Sequence, residues 1–451
     1  MPEIEPDPAD AYRQTPTELS LEGALRLALH LHRTGRLDDA ETLYRRILDA
    51  APEQPDALHF LGVLKHSRGD STAAIDLIHR AIAAASGQPG FYLNLGNVLI
   101  EAGRPEEGAD AYRMALALRP DNADIHNNLG TLLKAQGKFA DARAAYEKAI
   151  TLDPEHVDAY NNLGNLLARQ GRTKEAVACY CKALVLIPDN PETKRLLGIA
   201  YYTLGDLPKA AEMYRQWLLI EPDHPVAKHM LAACSGEDVP PRASDDYIEK
   251  TFDVFAGSFD AKLGNLAYRA PQLVAQALAK AAGPPEKRLA AVDAGCGTGL
   301  CGPLVTGYVS RLVGVDLSQN MLEKARSRGA YDELVKAELT EYLRAHSGTF
   351  DLILSADTLC YFGPLDSFLD ASHRALRAEG LLIFTVEETA SGAADAGYRL
   401  QPNGRYAHER VYLKRTLLSA GFAVAAIESV VLRMEGGSPV AGLLTTCRKN
   451  R

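Results

Sequence analysis

The sequence predicts an α + α/β chain: an all-α array of stacked helix pairs, then an α/β domain on a doubly wound parallel sheet. Three observations predict it. Gly35, Gly69, Gly103, Gly137, Gly171 and Gly205 recur every 34 residues without slippage. A short apolar strand ending near Ala291 breaks into Val292-Asp293-Ala294-Gly295-Cys296-Gly297-Thr298-Gly299, and Leu300, Pro303, Leu304 and Val305 then open a helix. Glycines in such a turn let bare backbone N–H groups approach a ligand. Later apolar runs at 312–315, 350–356 and 380–386 have the continuity of strands buried on both faces.

The repeat keeps its register throughout. Leu27, Leu61, Leu95, Leu129, Leu163 and Leu197 mark each first helix, and Tyr44, Ile78, Tyr112, Tyr146, Tyr180 and Tyr214 each second one. Small residues from Ala40 to Ala210 let paired helices approach, and proline closes every unit except the second, at Ser86. One unit has too little apolar face to fold alone, so neighbours must stack. Residues 21–224 resemble the tetratricopeptide repeat family as six units, which implies a right-handed superhelix with a concave groove. Residues 225–233 read as a capping helix, taking the array to 235.

Asn94, Asn128 and Asn162 recur at one repeat position, Asn127 and Asn161 at its neighbour, and Asn97 and Asn165 one turn on. Asparagine is a middling helix former, so such a run needs a reason. An amide ladder can hold the backbone of an extended peptide. It is similar to the ladder in the repeats of O-GlcNAc transferases, which implies a protein or peptide partner. Capping or solvating the turns between repeats is the competing reading.

Composition bounds the rest. A chain of 451 residues needs more than one domain, and 47% apolar with 24% charged residues is ordinary for a globular protein. A net charge of −9 argues against nucleic-acid binding. Seven scattered cysteines lack paired C-x-x-C spacing, so neither a metal site nor a disulfide framework is expected. The acidic, proline-bearing first twenty residues read as a disordered lead-in, unlike a signal peptide, and no apolar run is long enough to span a membrane. The expected location is the cytoplasm. Residues 236–246, with a double proline, read as a linker to a second domain at 247–451.

The glycine turn admits two ligands. Gly297, Gly299 and Gly302 satisfy the dinucleotide spacing G-x-G-x-x-G, and the stretch from Asp293 gives the D-x-G-x-G-x-G of S-adenosylmethionine sites. Asp316, ending the next strand, suits a ribose in either class. A carboxylate at Asp293 favours a cationic amino acid moiety over a pyrophosphate. The strand order to the chain end then resembles a class I S-adenosylmethionine-dependent methyltransferase with a Rossmann-like, seven-stranded sheet, the last two strands (422–432 and 440–447) forming an antiparallel pair. With its repeats, the chain resembles bacterial tetratricopeptide-containing methyltransferases.

That resemblance implies site residues. Asp293, Gly295, Cys296, Gly297 and Gly299 would hold the cofactor with Asp316. Leu317 and Met321 would flank the adenine, Glu338 (where Asp is usual) would receive its amino group, and Leu339 and Ala356 would complete the wall. Tyr268 and Arg269 would meet the cofactor carboxylate, beneath a lid carrying Phe252, Phe255 and Phe259. Asp357, Tyr361 and His408 are the candidates for a general base. The Asn-Pro-Pro-Tyr signature of base and glutamine amino-group methyltransferases is absent, Asp357-Thr358-Leu359-Cys360 standing in its place. A scaffold with a non-catalytic cofactor domain is the competing reading, and the intact Asp293, Gly295, Gly297 and Asp316 count against it.

Overall fold

The computed structural model describes residues 19–450 apart from 391, 393–395 and 436. The lead-in expected at 1–20 lies almost wholly outside them. The chain divides into two compact units that meet at Pro188 and Asp189.

Among the described residues the first unit holds five helix pairs: α1 (Leu21–Arg33) with α2 (Leu37–Ala50), α3 (Pro55–Ser67) with α4 (Ser71–Ala84), α5 (Pro89–Glu101) with α6 (Pro105–Leu118), α7 (Ala123–Ala135) with α8 (Phe139–Leu152), and α9 (Val157–Arg169) with α10 (Thr173–Leu186). The periodic glycine ends each first helix in the left-handed region, as at Gly35 (φ 77°) and Gly171 (φ 76°). A second glycine explains how closely the helices pack. A Cβ on Gly130 would lie 2.7 Å from the Tyr146 ring, and one on Gly164 would lie 2.4 Å from Tyr180. The tyrosine of the second helix thus rests on bare backbone of the first. Its hydroxyl is satisfied across the pair: Tyr180 donates to Asn165 Oδ1 (2.9 Å), and Tyr146 meets Thr131 (3.2 Å).

The second unit begins earlier in the chain than the expected linker. It takes in the sixth pair, α11 (Pro191–Thr203) and α12 (Leu207–Ile220), with α13 (Pro225–Ser235) as its cap. Residues 236–244 are tied down by hydrogen bonds. Tyr406 donates to the Pro240 carbonyl, Gly363 N–H to Pro241 (2.9 Å), and Ala243 N–H to Tyr361 (2.8 Å). From α13, His229 Nε2 bonds the Gly404 carbonyl at 2.8 Å in a buried contact.

Next come α14 (Asp245–Phe255), a short 3-10 turn, α15 (Phe259–Asn265) and α16 (Ala270–Ala282), before the sheet starts at β1 (Leu289–Ala294). The sheet continues with β2 (Val309–Asp316), β3 (Glu333–Lys336), β4 (Phe350–Ser355) and β5 (Leu376–Glu388), which run parallel in the order β3-β2-β1-β4-β5. After them, β9 (Ser438–Lys449) lies antiparallel to β5, with β8 (Phe422–Glu435) against β9. These are the seven strands the sequence predicts. Two short ones are added: β6 (Tyr398–Leu400) pairs with β7 (Tyr406–His408), and β7 pairs with Glu387 and Glu388 of β5, beyond the last β4 partner, Phe384.

Side chains alternate across the sheet. Ala291, Leu312, Leu352, Leu354, Leu381 and Ile383 pack with α16 on one face. Val292, Val313, Ile353, Leu382 and Phe384 pack on the other, against α19 (Leu339–Ala345), α20 (Asp366–Ala375) and α21 (Arg410–Ser419). The remaining helices, α17 (Gly302–Val305) and α18 (Gln319–Ser327), follow β1 and β2. Loops after β1, β2 and β4 gather at the carboxyl edge, where such sheets place their ligands.

Candidate active site

The three motif glycines have different reasons to be glycine. A Cβ on Gly295 would fall 2.2 Å from Thr358, and one on Gly299 would fall 2.9 Å from the Tyr331 ring, so protein packing forbids both. Gly297 sits at φ 53°, and a Cβ there would meet nothing within 4 Å. It lines a cavity with Gly295, Cys296, Asp316, Leu317 and Met321. Asp316 braces this turn, accepting from Gly297 N–H (2.8 Å) and Ser318 N–H (2.9 Å). Burial raises its pKa, and these N–H donors oppose the rise.

Across the cavity stand Glu338, Leu339, Ala356, Asp357 and Tyr361. Glu338 caps α19: one carboxylate oxygen accepts from Glu341 N–H at 2.8 Å. The other, Oε1, is buried without a hydrogen-bond partner. Such an orphaned acceptor is costly unless a ligand satisfies it.

The front wall is Phe252, Phe259, Leu263, Leu266 and Tyr268. Phe252 meets Phe259 and Tyr361 edge-on, with ring centroids 6.0 and 5.6 Å apart. Polar latches hold these helices to the glycine turn. Thr298 donates to Asp260 (2.6 Å), Arg328 pairs with the same carboxylate, and Ser318 donates to Asp253. The lid expected from the aromatic spacing therefore stands over the cavity, although Phe255 lies outside its wall.

Four expected placements need correction. Asp293 is not on the cavity wall: it is 1% exposed behind the turn, where Tyr331 donates to it at 2.7 Å. Burial pushes its carboxyl up to about 7. Arg269 is exposed and absent from the wall, with its backbone N–H bonded to Leu432, whereas its neighbour Tyr268 does line the cavity. His408 is fully buried in β7, with Nε2 on the Gly363 carbonyl (2.8 Å), and burial lowers its pKa to about 4. It does not line the cavity, and Nε2 is spent on the backbone beside it. Gly299 is likewise a packing residue off the wall.

The asparagine run is also spent partly inside the first unit. Asn127 and Asn161 are buried, and the other five are half-buried. Asn94 meets His59 Nε2 (2.8 Å), Asn162 donates to Asn127 (3.0 Å), and Asn97 accepts from Tyr112 (2.5 Å) and Asn128 (3.4 Å). These bonds link neighbouring helices, and each amide keeps further hydrogen-bonding capacity.

The largest feature the sequence reading missed is a charge cluster at the inner end of the cavity. Arg433 of β8, 1% exposed, donates to Asp357 (2.9 Å), Glu435 (2.6 Å) and Glu387. Arg405 adds a contact to Glu435 at 2.9 Å. Asp357 itself is held at φ 58°, with its N–H on Thr385. Asp357, Cys360 and Glu387 bring their ligand atoms within 4.8 Å of one another. Since Arg433 pairs with both carboxylates, a fixed guanidinium already supplies the charge a metal would bring. The signal was present in the sequence: Arg433 and Glu435 stand two apart, directly after the apolar run Val430-Val431-Leu432.

A family model described as a methyltransferase domain matches residues 292–384. Tetratricopeptide repeat models match residues 25–89, 90–155, 127–191 and 191–216. The chain carries a methyltransferase domain behind tetratricopeptide repeats. The methyltransferase part is 38% identical to human methyltransferase-like protein 27 over 112 residues, which are 24% of this chain and 45% of the relative. It is 29% identical to a ubiquinone biosynthesis O-methyltransferase of Bartonella bacilliformis over 155 residues, 31% of this chain and 62% of that one. The chain spans about half the length of the first curated relatives it matches. The repeats are similar to the solved tetratricopeptide protein YrrB, at 23% identity and a TM-score of 0.33, covering 41% of this chain and 96% of that one. Among the described residues no helix is long and apolar enough to cross a membrane.

Proposed function

We propose that the protein transfers the methyl group of S-adenosylmethionine to an acceptor bound under the lid, while its repeats recruit a protein or peptide. The observation that carries the cofactor reading is the pairing of two open features in the lining of one cavity. Gly297 offers bare backbone to free space, and Glu338 Oε1 is a buried acceptor without a donor. S-adenosylmethionine fits both: its adenine amino group can donate to Glu338, and its amino acid end can lie along the turn at Gly297.

S-adenosylmethionine supplies a methyl on a sulfonium, a leaving group that needs no protonation, so the protein's share is positioning and desolvation. Asp316 holds the turn in shape, and Phe252, Phe259 and Leu263 exclude water. Asp357 and Tyr361 face the acceptor, with Arg433 fixing the Asp357 carboxylate. Of the three base candidates these two remain, since His408 lies in the core. A peptide along the asparagines fits the recruiting role, using the amide groups left over from inter-helix bonds. Cytoplasmic residence fits seven cysteines that are all free thiols.

Calorimetric titration with S-adenosylhomocysteine, with NAD as control, tests the reading. One-to-one binding, weakened at least tenfold in Glu338→Ala and silent with NAD, is expected. Absence of binding by the folded protein would overturn it.

A further inference from the structure

Tyr361 and Arg405 each face two cavities. One is the cavity described above. The other is a longer cleft, wholly within the second unit, between α11–α13 and α14. Resting on the methyltransferase reading, we propose that this cleft admits the acceptor and that the acceptor is a lysyl side chain of a peptide.

Four features select that chemistry. The first is aromatic: Tyr202, Tyr214, Trp217, Tyr247 and Phe255 line the cleft on its way to Tyr361, and aromatic faces attract ammonium groups. The second is charge. Among the described residues six carboxylates line the cleft, including Asp246, Asp253 and Glu435, against Arg195, Lys250 and Arg405, and Lys228 and Lys336 pair two of the six, Asp223 and Glu249, from outside the lining, which leaves one negative charge over. The third is the state of the inner guanidiniums. Arg433 and Arg405 already share Asp357, Glu387 and Glu435. A carboxylate acceptor would bring a fourth negative charge to two positive ones, whereas an ammonium offsets the surplus. The fourth is an unspent hydroxyl. Tyr214 is fully buried, lines the cleft, and its Oη has no hydrogen-bond partner.

The occupant is a peptide because the sixth helix pair forms one wall, and a lysyl stem of four carbons reaches inward from a backbone laid along it. Transfer forms the N–C bond as the donor's C–S bond breaks, its electron pair staying on sulfur. The proton the amine gives up goes to Asp357, the cluster carboxylate on the cavity wall.

Trp217 is the single tryptophan of the chain, so its fluorescence reports this cleft without any turnover. The full chain, with S-adenosylhomocysteine present, is titrated with acetyl-Gly-Gly-Lys-Gly-Gly-amide, and with the same peptide carrying acetyl-lysine or glutamate. A saturable change with the lysine peptide is expected, at least tenfold weaker with the other two and weakened by 0.5 M salt. Tyr214→Phe should weaken it severalfold with no loss of melting temperature, whereas a purely structural hydroxyl without a partner would leave binding unmoved. Equal binding of all three peptides, tighter binding of the glutamate peptide, or n-butylamine binding as tightly as the peptide would each overturn the inference. Calorimetry on the same sample separates the two readings. S-adenosylhomocysteine binding with no lysine-peptide signal sinks the cleft alone, while no S-adenosylhomocysteine binding sinks the cofactor reading and the cleft with it.

Discussion

Asp293 gives the sharpest test of the geometry. Its carboxyl is raised from 3.8 to about 7, chiefly by burial, against the opposing bond from Tyr331. Below about pH 4 the group is protonated whether the chain is folded or not, and it costs nothing. Between about 4 and 7 the folded state holds a proton the unfolded state has lost, so stability falls as pH rises. Above about 7 both states are ionised and the loss is complete. At ~1.4 kcal/mol per unit the change is on the order of 4 kcal/mol, an upper bound for the fully buried group. Asp293→Asn keeps an acceptor for Tyr331 and removes the titration. Urea denaturation from pH 4 to 8 should show the parent losing stability relative to the variant by that order, with the two curves parallel outside the window. Parallel curves throughout would mean an ordinary, ionised Asp293, and the buried placement behind the turn would be wrong.

The glycine turn makes a paired prediction. Gly295→Ala should unfold the second unit or lower its melting temperature strongly, because its Cβ would overlap Thr358. Gly297→Ala should cost only about 1–2 kcal/mol in backbone strain yet weaken S-adenosylhomocysteine binding at least tenfold by calorimetry, since its Cβ points into open space. In the repeats, Tyr146→Ala should cost ~3–5 kcal/mol in thermal or urea unfolding and Tyr146→Phe about 1 kcal/mol, the ring over Gly130 mattering more than its hydroxyl. His229→Ala should lower stability by about 1–3 kcal/mol and raise amide exchange in residues 401–405, because it strips the Gly404 carbonyl of its partner. Unchanged exchange there would show that α13 does not hold the loop carrying Arg405.

Periodic features were legible in the sequence because local chemistry enforces them. A left-handed turn needs glycine every 34 residues, a strand covered on both faces needs an apolar run such as 350–355, and a tight strand-to-helix turn needs its glycines. The repeats and the strands follow from patterns of that kind, whereas the sheet order and the expected site residues, most of which from Gly295 to Ala356 do line the cavity, came from the family resemblance. What failed was the assignment of a side chain to one of two environments a few ångströms apart. His408 in a polar-looking segment is core because β7 pairs with the end of β5, a contact absent from any local pattern. Asp293 turns inward because Tyr331, 38 positions away, reaches it. Asn128 bonds Asn97, 31 positions away, and Asn162 and Asn94 bond Asn127 and His59, 35 positions away, each about one 34-residue repeat, so stacking determines how much of each amide is already used.

The sequence by itself determined that the chain holds stacked helical repeats and a parallel sheet with a glycine turn at its carboxyl edge. Tertiary structure alone decided which polar groups line the cavity. It brought Arg433 from β8 and Arg405 from a loop onto the carboxylates of Asp357, Glu387 and Glu435, and it laid the last repeat beside them. Apart from Arg433 with Glu435, two positions away, these charges pair between residues 18 to 76 positions apart, and no sequence periodicity records such distances.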